Sequence, residues 1–466
     1  MLRDLFTQFV WKVDSIAQKR VYITSFMLLV LLATSTLFYQ HANHFGDVDY
    51  HIPATILAQS HDYDLEGYGL SFVKSDELGA LSFSHYQSAI GVQGFLYAWL
   101  YNVLELESIK PLYRLTAFFS ALCLLICAVL LGKIFGKAFG IIFFLSLFTS
   151  SWVANFSGSL YFSFGFWFLP AIVAYNLYIY LVNSLGGGGK EGLDFTKETP
   201  QNSHNHSANP RILKKHQASP SLQDTAQAVA KQSTAPRKHS KPISTTILTL
   251  LCLVFTLTIA LRASMSYEFI TSIILFSLSP FIVSFVYELL TDSKAPFLSL
   301  SVKRAFNYGL GLFILACVGF GLTFMLHTYI RGGGDLWAGL IDIYRNDFLR
   351  RMVGGSAKDF DPVYAASLNA NALEVIRIYL SKPLMLLLLG VSIFACFKES
   401  SKAYRAFYIA LIMGFALSAL SWFVLGKSHS YIHRHFCFVL WYLGFWASLL
   451  YAPIYYLYRR FCHSTC

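Results

Sequence analysis

The chain has 466 residues, of which 55% are hydrophobic, 17% aromatic and only 13% charged. This excludes an ordinary soluble domain, in which about 25% of residues are charged. The net charge of +11 does not indicate nucleic-acid binding, because most Lys and Arg lie between apolar segments of about 20 residues, the length that crosses a bilayer. We therefore expect an all-α fold, a polytopic transmembrane helical bundle, without a cleaved signal peptide.

Two transmembrane modules are predicted in chain order, after a cytoplasmic amphipathic helix at 1–20. The N-terminal module covers 21–182 and the C-terminal module covers 244–466. Between them, residues 183–243 are rich in Ser, Gln, Asn and Pro, which predicts a disordered cytoplasmic loop. The ten predicted spans lie at about 21–40, 112–132, 138–154, 159–182, 244–261, 267–289, 306–327, 375–397, 406–426 and 436–457.

The orientation follows from the short basic loops, such as Lys133 with Lys137 and Lys398 with Lys402, which fall on the same side as the termini. The positive-inside rule makes that side cytoplasmic. Two long outer loops then cover 41–111 and 328–374. Helical spacing of apolar residues predicts interfacial helices within 84–105 and 335–352.

Acidic residues collect on the predicted outer side, where sixteen of the 25 Asp and Glu fall, fifteen of them in these two loops. Connectors are usually a few residues long, so loops of this length indicate a site. The alternative is a pair of solvated caps. The eight cysteines form no Cys-x-x-Cys motif, and we expect neither a disulfide framework nor a cysteine metal site.

An acidic motif follows the first span, in the order His44-Phe-Gly-Asp47-Val-Asp49-Tyr-His51. A carboxylate near the apolar boundary can accept a proton from an attacking hydroxyl, which makes Asp47 and Asp49 the candidate catalytic residues. His51 is a supporting candidate. The spacing is compatible with a divalent ion but weakly specific, so no metal and no cofactor is assigned. The alternative is helix-end polarity.

Basic residues near later span ends are candidates for binding a donor phosphate. Arg262 lies at the outer end of the fifth span, where Glu268 is placed to orient it. A structural Arg–Glu pair is the alternative there. A second cluster opens the last span, where an interfacial anchor is the alternative. Its candidate phosphate ligands are Lys427, His429, His433 and Arg434. A weaker basic set is formed by His327, Arg331, Arg345, Arg350, Arg351 and Lys358.

In its organisation the chain resembles the GT-C superfamily of integral-membrane glycosyltransferases, including protein mannosyltransferases and the aminoarabinose transferases of lipid A. The resemblance covers about 20–182. It is carried by Phe45-Gly-Asp47-Val-Asp49, Tyr86-Gln-Ser-Ala-Ile-Gly-Val-Gln-Gly94, Leu131-Gly-Lys-Ile-Phe-Gly136, Asn155-Phe-Ser-Gly-Ser-Leu-Tyr161 and Phe166-Trp-Phe-Leu-Pro170. It implies that the first-loop acid is the general base and that a polyprenyl-phosphate sugar is the donor. The Asp-Val-Asp spacing and the insertion at 183–243 depart from the pattern.

We therefore expect an inverting glycosyltransferase that acts at the extracytoplasmic face of a membrane, with a bacterial inner membrane as the predicted location. Its predicted partners are a polyprenyl-phosphate-linked sugar, a glycan, lipid or protein acceptor, and membrane lipid. A lipid-linked glycan polymerase or ligase is a rival hypothesis, and it would rely on Arg and His of the later loops. A polytopic transporter is a second rival, although the ionisable residues of transporters normally lie near the midplane. A structural membrane protein is a third.

Overall fold

The computed structural model describes residues 16–41, 49–75, 79–185, 243–353 and 370–462. Almost all regular structure in these ranges is helical. The helices are α1 (Ile16–His41), α2 (His51–Ser60), α3 (Val92–Val103), α4 (Lys110–Phe135), α5 (Lys137–Phe148), α6 (Ser151–Ser157), α7 (Gly165–Ser184), α8 (Thr245–Met265), α9 (Ile270–Ser277), α10 (Ser279–Leu290), α11 (Val302–Arg331), α12 (Leu336–Ile343), α13 (Leu349–Val353), α14 (Ala372–Leu380), α15 (Pro383–Lys398), α16 (Lys402–Leu425), α17 (Lys427–Ile432), α18 (Arg434–Cys437) and α19 (Phe445–Cys462).

Within these ranges, six helices are long and apolar enough to cross a membrane, namely α1, α4, α7, α8, α11 and α16. Three further pairs qualify if each bent pair is one span: α5 with α6, α9 with α10, and α14 with α15. The pairs bend by 75°, 59° and 89°. Six to nine candidate spans indicate a multi-pass membrane protein.

The prediction of ten spans is therefore not confirmed. The predicted span 436–457 begins with two short turns, α18 and a 3₁₀ helix at Phe438–Tyr442, before α19 starts at Phe445. α19 is not among the candidate spans of the described residues; Arg459 and Arg460 occupy its last turn. The predicted span 375–397 corresponds to the bent pair of α14 and α15, in which Pro383 restarts the chain at nearly a right angle to α14.

One continuous apolar core joins the two predicted modules. α4 packs against α1, α5 and α7, and α7 in turn contacts α8 and α9. α16 closes the bundle by packing on α9, α10 and α19. Close approach of α5 to α4 depends on Gly140, where an added Cβ would lie 2.5 Å from the carbonyl oxygen of Ala128.

The bundle has two distinct ends. At one, Leu298 donates its N–H to the carbonyl of Ile134, 3.0 Å away, and Arg459 lies 3.6 Å from the carboxylate of Glu399. The opposite end carries residues 49–75, 79–103, 158–164, 266–269, 332–353 and 426–444, and we call it the loop end. There the first long loop joins α8 through a 2.8 Å hydrogen bond from the N–H of Gly91 to the carbonyl of Ser264.

The first long loop folds into α2, a β-hairpin and α3. The hairpin pairs β1 (Ser71–Ser75) with β2 (Leu81–His85) in antiparallel register, with Ser71 opposite His85. The described residues are mostly helical, as the sequence predicted, and this two-stranded hairpin is the exception. α3 has 12 residues, about 18 Å at 1.5 Å per residue, which is too short to cross a bilayer.

The second long loop is helical from Leu336 to Val353. It comprises α12, a π-helical turn at Tyr344–Phe348 and α13. Asp335 caps α12 by accepting hydrogen bonds from the N–H groups of Trp337 and Ala338. The predictions for residues 1–15, for 183–243 apart from the end of α7 at its start, and for 354–369 lie outside the described residues.

Candidate active site at the loop end

A cavity of about 200 Å³ opens at the loop end. Five segments that are far apart in the sequence supply its walls: the first loop, the α6–α7 turn, the α8–α9 turn, α13, and the α17–α18 region. Its lining residues are Tyr86, Ser88, Tyr161, Phe162, Glu268, Arg350, Arg351, His429, His433 and Phe436. Two arginines and two histidines thus face one carboxylate.

Glu268 is held in this wall by the turn between α8 and α9. The buried guanidinium of Arg262 donates hydrogen bonds to the carbonyls of Ser266, at 2.8 Å, and of Glu268, at 2.9 Å. The next residue, Phe269, adopts a left-handed conformation with φ of +62°, a strained backbone for a non-glycine residue. These contacts fix the direction in which the Glu268 side chain leaves the turn.

Glu268 pairs with His429, whose Nε2 lies 3.4 Å from the carboxylate Oε1. Burial disfavours the charged form of Glu268. The hydrogen bond and charge of His429 nevertheless prevail, together with the charges of Arg351 and His433, and lower the pKa of Glu268 to about 2. Glu268 is therefore an anion at neutral pH.

His429 is buried and has a partner for each ring nitrogen. Nε2 faces Glu268, and Nδ1 lies 3.8 Å from the Sγ of the buried Cys437. The ring of His433 lies beside it, with centroids 4.7 Å apart. His429 therefore presents mainly its ring to the cavity, because both nitrogens already have partners.

Arg350 and Arg351 reach the cavity from α13, directly after the π-helical turn. Both donate to Oδ1 of the buried Asp347, at 3.4 Å and 3.1 Å respectively. Arg350 also donates to the hydroxyl of Ser88, at 3.1 Å. Arg331 completes the group, with its Nη1 lying 3.6 Å from Oδ2 of Asp347 and bonding the carbonyl of Gln87. This network ties the second long loop to the first.

Asp49 lies behind the cavity wall. It is 2% exposed, and its Oδ1 accepts hydrogen bonds from the hydroxyl of Ser159, at 2.7 Å, and the N–H of Tyr161, at 3.0 Å. Asp49 thereby positions Tyr161, whose hydroxyl lies 2.9 Å from that of Tyr86. The first-loop acid thus contacts the cavity wall without lining the cavity.

His51 supports the same wall from α2. Its Nδ1 lies 3.0 Å from the carbonyl of Ser71, and its ring packs against Phe72 and Tyr86, with centroids 4.6 Å away in each case. Burial lowers the pKa of His51, and the hydrogen bond to the Ser71 carbonyl only partly offsets this. His51 is therefore a neutral aromatic support.

The structure brings three of the predicted residues to the cavity: Glu268, His429 and His433. Arg262 positions Glu268 from behind. Lys427 and Arg434 do not line the cavity; the Nε of Arg434 donates to the carbonyl of Tyr431. Asp47, like His44, lies outside the described residues, so only residues 49–51 of the predicted acidic motif are described.

Sequence reasoning did not place Arg350 and Arg351 in the site, although it noted them as part of a weaker basic set. It assigned no role in the site to Tyr86, Ser88 or Tyr161. Within the described residues, no three His, Cys, Asp or Glu side chains come together as a metal site would require. Because His44 and Asp47 are outside those residues, this leaves the divalent ion considered for their motif untested.

The arrangement suits an anion such as a phosphate. Arginine offers a planar fork that matches phosphate oxygens, and the enclosed position strengthens charge interactions relative to water. No protein-family model matches the chain, and comparisons with curated proteins and with solved structures found no match.

Proposed function

We propose that this protein is a membrane glycosyltransferase that moves a sugar from a polyprenyl-phosphate donor to an acceptor at the extracytoplasmic face. The observation that carries the proposal is the cavity in which Arg350, Arg351 and two histidines face a carboxylate. It lies at one end of a bundle of apolar helices. A phosphate on a lipid chain would reach such a place from the bilayer.

The donor phosphate would bind Arg350 and Arg351. During transfer, negative charge grows on the departing lipid phosphate, and cations placed beforehand stabilise it. A carboxylate removes the proton of the acceptor hydroxyl as that oxygen attacks the anomeric carbon. The sequence assigns this base to Asp47 or Asp49, and Asp49 is linked to the cavity through Tyr161. A single displacement inverts the anomeric configuration.

Exposed aromatic side chains of the second long loop support the proposal that the cavity lies at a membrane surface. Trp337, Tyr344 and Phe348 of α12 and the π-helical turn are at least half exposed, and aromatic side chains of this kind anchor helices at bilayer interfaces. Arg350 and Arg351 follow directly in the chain. A lipid chain lying at this surface would therefore place its phosphate near the two arginines.

The first test is deletion of the gene in its host, followed by mass spectrometry of surface glycans, glycolipids and glycoproteins. We expect a product lighter by one sugar, restored by the wild-type gene but not by at least one of Asp47→Asn and Asp49→Asn. Asp62→Asn is the matched control, because Asp62 is an exposed acid in the same loop. Unchanged glycans in a host that makes them would refute the proposal and favour transport.

A second candidate is a polymerase or ligase that acts on a diphosphate-linked glycan. It is favoured by one observation: the four basic residues that line the cavity, Arg350, Arg351, His429 and His433, come from later loops, whereas Asp49 does not line it. In the same deletion experiment, this function predicts the loss of whole repeat chains rather than of one sugar.

A further inference from the structure

Glu268 is the one carboxylate among the lining residues of the described cavity. From this and the geometry below, we propose that Glu268 accepts the proton of the acceptor hydroxyl and that His429 is its positioning residue. The proposal rests on the glycosyltransferase function proposed above. Among the described residues, it assigns the general base to Glu268 of the α8–α9 turn rather than to Asp49 of the first loop.

Position favours Glu268 over Asp49. A general base must come within hydrogen-bond reach of the proton it removes, either directly or through one water. Glu268 lines the cavity together with Arg350 and Arg351, whereas Asp49 does not line it and reaches it only through the N–H of Tyr161. Oδ1 of Asp49 already accepts two hydrogen bonds that hold the Ser159–Tyr161 turn. Asp49 therefore holds the turn that forms part of the cavity wall, whereas the carboxylate of Glu268 can contact a molecule bound in the cavity.

The side chain of Glu268 is oriented by contacts within its own turn and by a contact with His429. On its own turn, Arg262 holds the carbonyl of Glu268, and the N–H of Glu268 donates to the hydroxyl of Ser266 at 3.1 Å. From α17, Nε2 of His429 contacts Oε1 of Glu268 at 3.4 Å. Arg262 is itself nearly fully buried and packs over the ring of Trp167, 5.5 Å from its centroid. This amount of support exceeds what a solvated loop carboxylate needs.

Cys437 lets His429 hold Glu268 in either charge state. Neutral imidazole donates from Nε2 to the carboxylate and accepts the weak S–H donor at Nδ1. Protonated imidazole donates at both positions, and the sulfur is then a weak acceptor. The contact at 3.8 Å is therefore compatible with both forms. His429 is consequently not free to bind phosphate with either nitrogen.

A carboxylate with a low pKa is a weak base. We expect the phosphate of the bound sugar donor to raise the proton affinity of Glu268. The charged and titratable groups around Glu268 are Arg262, Arg350, Arg351, His429 and His433, with the phenols of Tyr86 and Tyr161. The cations among them stabilise the Glu268 anion. A bound phosphate neutralises part of that positive charge, which raises the proton affinity of Glu268. Binding of the donor would therefore precede activation of the acceptor.

The step balances as a single displacement. The O–H bond of the acceptor breaks, and its proton moves to Glu268. The acceptor oxygen forms a bond to the anomeric carbon while the bond from that carbon to the phosphate oxygen breaks. The electron pair leaves with the lipid phosphate, between Arg350 and Arg351. Glu268 then releases its proton to water.

The test compares Glu268→Gln with Asp49→Asn in membranes isolated from the deletion host, which hold its lipid-linked sugars and acceptors. Mass spectrometry follows the glycan product, and the purified variants are titrated with farnesyl phosphate as a probe of the phosphate site. For Glu268→Gln we expect transfer to fall at least about 100-fold, the usual contribution of a general base. Farnesyl phosphate binding should be equal or tighter, because a negative charge is lost.

Two further variants distinguish loss of the general base from misfolding of the variant protein. Transfer by Glu268→Ala should recover in the presence of added formate, a small carboxylate that fits the space left by the side chain. His429 lowers the pKa of Glu268 through its interactions with the carboxylate. For His429→Gln, loss of these interactions should raise that pKa and move the acidic limb of the pH–rate profile to higher pH. A merely structural histidine would lower activity without moving that limb.

The outcomes separate this inference from the proposed function. If Glu268→Gln transfers at the wild-type rate while Asp49→Asn does not, the inference is wrong and the glycosyltransferase proposal stands. If Glu268→Ala folds and binds farnesyl phosphate but formate restores nothing, the base assignment also fails. If the wild-type protein neither binds the probe nor restores any glycan, the proposed function itself is refuted.

Discussion

Asp347 should control whether the cavity can bind phosphate, although it does not line the cavity. Its side chain is 5% exposed, and charged nitrogens of Arg351, Arg350 and Arg331 lie 3.1, 3.4 and 3.6 Å from its oxygens. Asp347→Asn removes the charge that gathers these arginines but preserves the shape of the side chain. We expect it to destabilise the second loop and to weaken phosphate binding.

The structure sets the expected size of both effects. Neutralising one partner of a buried ion pair costs about 3–5 kcal/mol. Arg350 is 38% exposed, so water screens its share, and we expect a destabilisation of about 3 kcal/mol. If Arg351 loses its orientation, one charge-assisted hydrogen bond to phosphate is lost, at about 1.5–3 kcal/mol. That corresponds to a dissociation constant that is weaker by about tenfold or more.

The assay is thermal unfolding of the purified protein in detergent, combined with titration of farnesyl phosphate. Asp342→Asn is the matched control, since Asp342 also pairs with Arg331 but is 41% exposed. It should cost less than about 1 kcal/mol and leave the dissociation constant unchanged. Equal effects of the two variants, or wild-type binding by Asp347→Asn, would refute the view that the buried carboxylate orients the arginines.

Three other predictions concern the first loop, the core and the topology. Burial lowers the pKa of His51, so stability present above about pH 6.5 should be lost as the pH falls; unfolding of His51→Asn should depend less on pH. Gly94→Ala places a Cβ 1.6 Å from a backbone carbonyl and should lower the melting temperature, whereas Gly311→Ala, with open space around it, should not. A cysteine at Arg345 should be labelled from outside cells, and one at Ser221 should not.

The positions of the long apolar helices could be predicted from the sequence. Apolar segments of about 20 residues favour helices, because unsatisfied backbone groups cannot lie in hydrocarbon. The predicted span 112–132 corresponds to α4 and 406–426 to α16. The same reasoning indicated that polar residues would collect at span ends, and Glu268 and His429 do meet at one end.

Which of the polar side chains at the loop end come together in the cavity could not be predicted in the same way. It depends on how each helix is rotated and where it bends, and tertiary packing sets both. The bend between α9 and α10 is an example, as is the right angle before α15. Arg350, in the second long loop, and Arg434, just before the last predicted span, were both predicted on the outer side, yet only Arg350 lines the cavity. Nothing in their local sequence separates them.

The hairpin was missed for a different reason. Leu81, Phe83 and His85 alternate with serines, which is the period of a strand with one apolar face. That signal was present, but β2 is only five residues long and its burial is weak. A two-stranded hairpin of this length depends on tertiary contacts for its stability, so the alternation alone does not predict it.

The charge balance of the cavity gives the strongest physical reason to expect an anionic ligand. Two arginines line it against one carboxylate, and its two histidines can add further positive charge. Asp347 pairs with both arginines and, together with Glu268, balances their charge. The remaining positive charge is that of the buried Arg262 behind Glu268, and keeping unbalanced charge away from water is costly. A phosphate on a lipid chain would supply the missing negative charge. The same excess that destabilises the empty cavity would then contribute to binding and to stabilising the departing phosphate.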